Sequence, residues 1–115
     1  MKKETVAVLL RIFFGESDKH QGKNTYQFLV EYLKQNKFAG VTLIRGFEGF
    51  GRKSIIHTAN LLEMASDLPI VLEIVDKEDK IEVLKKFIDD NKIIQSGLVT
   101  EEKVKIVQYG SHSLA

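Results

Sequence analysis

Residues 5–14, Thr-Val-Ala-Val-Leu-Leu-Arg-Ile-Phe-Phe, carry a single charge, Arg11. A run this apolar does not alternate, so neither of its faces suits water. It reads as a central strand, covered on both sides or placed at an interface. An arginine inside such a strand needs an acidic partner. Glu73, the acid inside another apolar run at residues 69–75, is the candidate.

The remaining periodicities can be ordered around that strand. Residues 15–23 form a polar loop with Gly15, Ser17, Asp18 and Gly22. Glu16 and Asp18 suit an Asx-type turn there. Asn24 is placed to cap a helix, with Gln27 three residues on as its return partner. Tyr26, Leu29, Val30 and Leu33 follow helical spacing, Lys34 and Lys37 suit the C-terminal end, and Gly40 is expected to stop the helix. Residues 41–44 begin a second strand. Residues 54–67 fit helix and strand almost equally well. Residues 69–75 form a third strand, with the single Pro of the chain at its start, where a missing N–H does least harm. Asp76 and Asp79 mark a second helix start, with Ile81, Leu84, Phe87 and Ile88 as the apolar face and Val83 widening it. Gly97 opens a last strand region containing Val104, Ile106 and Val107, and residues 110–115 lack a pattern and read as a flexible tail.

The resulting order, β-α-β-β-α-β, defines an α+β fold, the ferredoxin-like plait: a four-stranded antiparallel sheet with two helices on one face. Two helices cover one side only. Strands that are apolar on both faces therefore require a second cover, and another copy of the same sheet supplies it. A homo-oligomer is expected.

Composition narrows the function. With 115 residues, 43% hydrophobic, the chain makes one domain with a real core. Its net charge of +1 gives no global field for nucleic acid or for an anionic membrane. It has no cysteine, which excludes disulfides and thiolate metal sites and fits a reducing cytoplasm. His20, His57 and His112 lack metal-ligand spacing. No apolar run approaches the ~18 residues of a membrane span. Met1-Lys2-Lys3 resembles a signal n-region, but the following apolar run is broken by Arg11 and lacks a small-residue cleavage site.

Chemistry concentrates in Arg45-Gly46-Phe47-Glu48-Gly49-Phe50-Gly51-Arg52-Lys53-Ser54. Three glycines in six residues permit close approach to a ligand, and the flanking cations and serine suit a phosphate or another anion. The competing reading is a glycine-rich hairpin tip with solvated charges. Gly46 to Ser54 also approaches a P-loop with one residue inserted before the lysine. That reading fails, because a P-loop needs a glycine turn feeding a helix and a parallel sheet, and this chain lacks the βαβ units to build one.

Three blocks in order carry a resemblance: residues 11–19, RIFFGESDK; residues 40–46, GVTLIRG, with Gly49-Phe50-Gly51; and residues 67–71, DLPIV, with Glu73-Ile74-Val75-Asp76. They resemble a prokaryotic family known as domain-of-unknown-function family one-ninety, over nearly the whole chain to Tyr109. The resemblance implies a PII-like domain over residues 1–109, of the kind that trimerises through its sheets. The chain is also similar, more distantly, to the PII signalling proteins. Gly49-Phe50-Gly51-Arg52 matches their GFGR element, where phosphate-contacting backbone and an arginine lie. Gly97 and Lys103 match the first glycine and the lysine of their GKIGDGK loop, which holds ATP phosphates. Thr100 and Glu102 replace the other two glycines of that loop. Thr100 can still donate a hydrogen bond, whereas Glu102 repels a triphosphate unless it points away. Lys53 stands where PII proteins have the glutamine needed for magnesium and 2-oxoglutarate, and no Tyr occurs between Arg52 and Pro69. Sensing through 2-oxoglutarate and uridylylation is therefore not expected.

The resemblance implies a cytoplasmic homotrimer that binds a phosphate-containing small molecule, an adenine nucleotide, between subunits. Arg45, Gly49, Gly51, Arg52 and Lys53 come from one side, and Gly97, Thr100 and Lys103 from the other. Residues 52–67 would order on binding and be read by a partner. Two alternatives differ in class: an interaction module acting on a membrane transporter without a small ligand, and a small enzyme using the intersubunit cleft. No nucleophile–base pair or metal set supports the enzyme.

Overall fold

The computed structural model describes residues 2–46, 48–50, 56–58 and 68–110, with backbone alone at 48–50 and 56–58. Its elements are β1 (Lys2–Gly15), β2 (Lys19–His20), β3 (Lys23–Asn24), α1 (Thr25–Gln35), β4 (Gly40–Arg45), β5 (Glu48–Phe50), β6 (Ile56–Thr58), β7 (Pro69–Asp76), α2 (Glu78–Asp90) and β8 (Leu98–Tyr109). The main sheet has the order β4-β7-β1-β8, and every neighbouring pair is antiparallel. This is the plait expected from the sequence, and its all-antiparallel sheet removes the P-loop reading.

The pleat divides the strands into two faces. Val8, Leu10, Ile12 and Phe14 of β1 and Ile70, Leu72 and Ile74 of β7 are buried in one cluster with Leu29 and Leu33 of α1 and Ile81, Leu84 and Ile88 of α2. The residues between them, Leu9, Arg11 and Phe13 on β1 and Val71, Glu73 and Val75 on β7, point to the opposite, uncovered face and are only partly buried. Ile44 and Leu98 continue this face and are exposed. Arg11 stands at its centre. Arg11 Nε donates to Glu73 Oε2 at 2.8 Å, the partner expected from the sequence, and Nη1 donates to Glu102 Oε1 at 3.0 Å. The arginine is half-exposed rather than buried, and hydrogen bonding to Glu73, then to Glu102, raises its pKa.

Both helices end in the same way, and not where glycine was expected to end the first. Lys37 and Lys92 take positive φ, 57° and 51°. Phe38 N donates to Leu33 O and Ile93 N to Ile88 O, while Lys37 N and Lys92 N bond to Lys34 O and Asp89 O. These are Schellman motifs with the apolar contact one residue beyond. α1 thus stops at Gln35, and Gly40 instead opens β4. Asn24 is the N-cap of α1 but makes no side-chain cap bond; its Oδ1 accepts from Lys19 Nζ at 2.5 Å. Val83 is 60% exposed and lies outside the apolar face of α2. The segment at residues 15–23, expected to be a plain loop, contains the β2–β3 hairpin. It turns on Gln21 and Gly22, both at positive φ, as a two-residue turn of type I′ requires.

Candidate functional site

β1 and β4 finish, and β7 and β8 begin, at one end of the sheet. Two loops are pinned there. Glu16 N donates to Leu68 O at 2.8 Å, and Gly46 N donates to Pro69 O at 2.6 Å. A Cβ on Gly46 would lie 2.8 Å from Pro69 Cγ, so glycine is required for this approach. Arg45, the last residue of β4, reaches over β7 and its Nη2 donates to Glu16 Oε2. Asp18 closes a backbone turn rather than the Asx-type turn expected: its N donates to Gly15 O at 3.2 Å, and its Oδ2 accepts from Gly15 N at 3.3 Å, three residues earlier instead of two residues on. Glu16 is instead the partner of Arg45.

The glycine-rich segment enters β5 just beyond Arg45. β5 pairs with β6, and Gly49 stands opposite His57. Among the described residues Gly49 is therefore a strand residue rather than part of a hairpin tip. Gly51, Arg52 and Lys53 lie outside the described residues, as do most of residues 52–67 and the tail at 111–115.

The second half of the expected site lies on β8. A Cβ on Gly97 would come within 2.5 Å of Phe13 O, so its missing side chain is accounted for by packing against β1. Thr100 and Lys103 are not in a loop; β8 is strand throughout. Thr100 pairs with Arg11 and faces the open side of the sheet, while Lys103 pairs with Val8 and faces the helix side. A ligand lying on either face of β8 meets one of them. Glu102 turns to Arg11, away from any triphosphate near Lys103.

The sheet separates the two halves. β4 and β8 are its opposite edges, three strand spacings or about 14 Å apart. Arg45 and Thr100 of one chain cannot hold the same phosphate. Among the described residues no cluster of three or more potential metal ligands occurs, and no helix is long and apolar enough to cross a membrane. Aromatic rings form a layer of their own: Tyr32 stacks on Phe87 at 3.9 Å, Phe28 lies parallel to Phe87 at 6.3 Å, and His20 packs edge-on to Phe28 at 4.6 Å.

This ferredoxin-like plait is similar in fold to PII-like proteins of known structure. Its likeness to CPII from Thiomonas intermedia K12, in a structure bound to ADP and bicarbonate, has a TM-score of 0.65 at 17% identity, covering 90% of this chain and 91% of that one. A second structure of CPII, a nitrogen regulatory PII-like protein, bound to ADP, AMP and bicarbonate, gives 0.59 at 18% identity with the same coverage. Identity this low establishes the fold alone. The sequence goes further. The family model DUF190, described as Uncharacterized ACR, matches residues 7–106. A UPF0166 protein of Aquifex aeolicus is 37% identical over 99 residues, 86% of this chain and 91% of that protein. A UPF0166 protein of Methanocaldococcus jannaschii is 30% identical over 75 residues, 65% and 68% of the two. The chain belongs to the DUF190 family.

Proposed function

We propose that this chain is a PII-like regulatory protein that assembles as a homotrimer and binds a phosphate-containing small molecule, an adenine nucleotide, between subunits. Arg45, Gly49, Gly51, Arg52 and Lys53 come from one chain, and Thr100 or Lys103 from its neighbour, with Gly97 shaping the strand that carries them. A partner protein reads the segment that follows β4. The supporting observation is the position of Arg45 and Thr100 on opposite edges of one sheet, which fits a site completed by a second chain. The uncovered apolar face supports assembly, and the ADP bound in the CPII structures is compatible with the ligand class.

Isothermal titration calorimetry and thermal shift with AMP, ADP and ATP test the reading. At least one nucleotide is expected to bind and to raise the melting temperature. Arg52→Ala is expected to abolish the shift while light scattering still reports the trimer. No response to any of the three nucleotides overturns the proposal.

A further inference from the structure

Glu16 and Arg45 reach each other from strands that are not neighbours. β7 runs between β1 and β4, and the residues following these two flanking strands are tied to Leu68, just before β7, and to Pro69, its first residue. Over that strand the guanidinium of Arg45 meets the carboxylate of Glu16. Their exposures differ: the Glu16 side chain is 16% accessible and that of Arg45 59%. The acid is the fixed member and the cation the one presented to solvent. The ion pair is not required to hold the two loops, because the backbone bonds to Leu68 and Pro69 do so, and pairs this exposed contribute little to stability.

Taking the anion site above as its premise, we propose that Glu16 sets the charge preference of that site. Its carboxylate occupies Nη2 of Arg45 and offsets the positive charge that a phosphate would meet. A guanidinium has five donors, so Arg45 keeps others with which to bind. Each further negative charge on the ligand, however, meets the fixed Glu16 carboxylate at short range, and that repulsion grows with ligand charge. Glu16 therefore biases the site toward anions of lower charge.

Calorimetry of the wild-type protein, Glu16→Gln, Arg45→Ala and the double variant, each with AMP, ADP and ATP in magnesium-free buffer, tests the inference. Glu16→Gln keeps the shape of the side chain and removes its charge. It is expected to tighten binding roughly two- to fivefold, the range that an exposed ion pair implies, with the gain increasing from AMP to ATP and shrinking at high salt. In the Arg45→Ala background the gain is expected to persist or grow, since the unpaired Glu16 carboxylate then meets the ligand unscreened by the guanidinium. Nucleotide binding that is unchanged or weakened by Glu16→Gln, or a gain equal for all three ligands, overturns the role of Glu16 and leaves the nucleotide site standing. No binding by any variant overturns both.

Discussion

At the scale of single residues, two glycines proposed from the sequence for ligand approach are used, in the described structure, to bring backbones together. Gly97 leaves no room for a side chain against the Phe13 carbonyl, and Gly46 leaves little against Pro69. Gly97→Ala is expected to destabilise the protein by about 1–3 kcal/mol, the usual range for overpacking, since the obstructing atom is backbone and cannot swing aside. Urea denaturation measures it. A loss of nucleotide binding without loss of stability would instead return Gly97 to the site. The sequence cannot separate these uses, because both require a missing Cβ. Arg11 and Glu73 were legible as partners because each is the lone charge in an apolar run. Glu102 was not, because charges surround it in β8 and only the register brings it beside Arg11.

At the scale of elements, the helix C-termini depend on lysines in the left-handed conformation, which costs a residue with a Cβ more than it costs glycine. Lys92→Gly is expected to stabilise the protein by about 0.5–1 kcal/mol, after allowing for the greater freedom of glycine in the unfolded chain, as a rise in the urea midpoint. The same Asn-Lys-apolar triplet ends both helices, at Asn36 and Asn91, and could have been read as a stop signal had glycine not been the default expectation. The β2–β3 hairpin escaped notice because strands of two residues show no periodicity. α2 is fastened to β8 by Lys85, whose Nζ lies 2.7 Å from Glu101 and 2.8 Å from Glu82. Hydrogen bonding to Glu101, then to Glu82, raises its pKa above the ordinary lysine value of 10.5. A raised folded-state pKa means that the stabilisation is complete below that ordinary value and is lost as pH climbs beyond it. The stability difference between wild type and Lys85→Met is therefore expected to stay constant from pH 7 to 9 and to narrow above about 10.5. A difference that widens with alkalinity would refute this.

At the scale of the whole molecule, the plait could be read from the order of patterns alone, since apolar period and length separate strands from helices. The open side of the sheet was legible for the same reason: strands without alternation have two faces to cover. Phe13 and Val71 are cross-strand partners on that side. A charge at either position should disfavour sheet-to-sheet packing while leaving the helix-covered core intact. Val71→Asp is expected to convert the proposed oligomer to a monomer in light scattering, with far-UV circular dichroism unchanged. A variant that keeps the wild-type mass would show that assembly uses another surface. The nucleotide part of the proposed ligand was not legible in the sequence, because a cation beside glycines specifies an anion and nothing about what the anion is attached to.

The central place of β1 has one more consequence. Both of its hydrogen-bonded neighbours, β7 and β8, come from the second half of the chain, as in the pairing of Lys2 with Tyr109. During synthesis this greasy strand leaves the ribosome long before either neighbour exists, and it must wait, exposed to chaperones and to other nascent chains, until the last strand arrives. Closing such distant segments slows folding relative to a helical bundle of the same size.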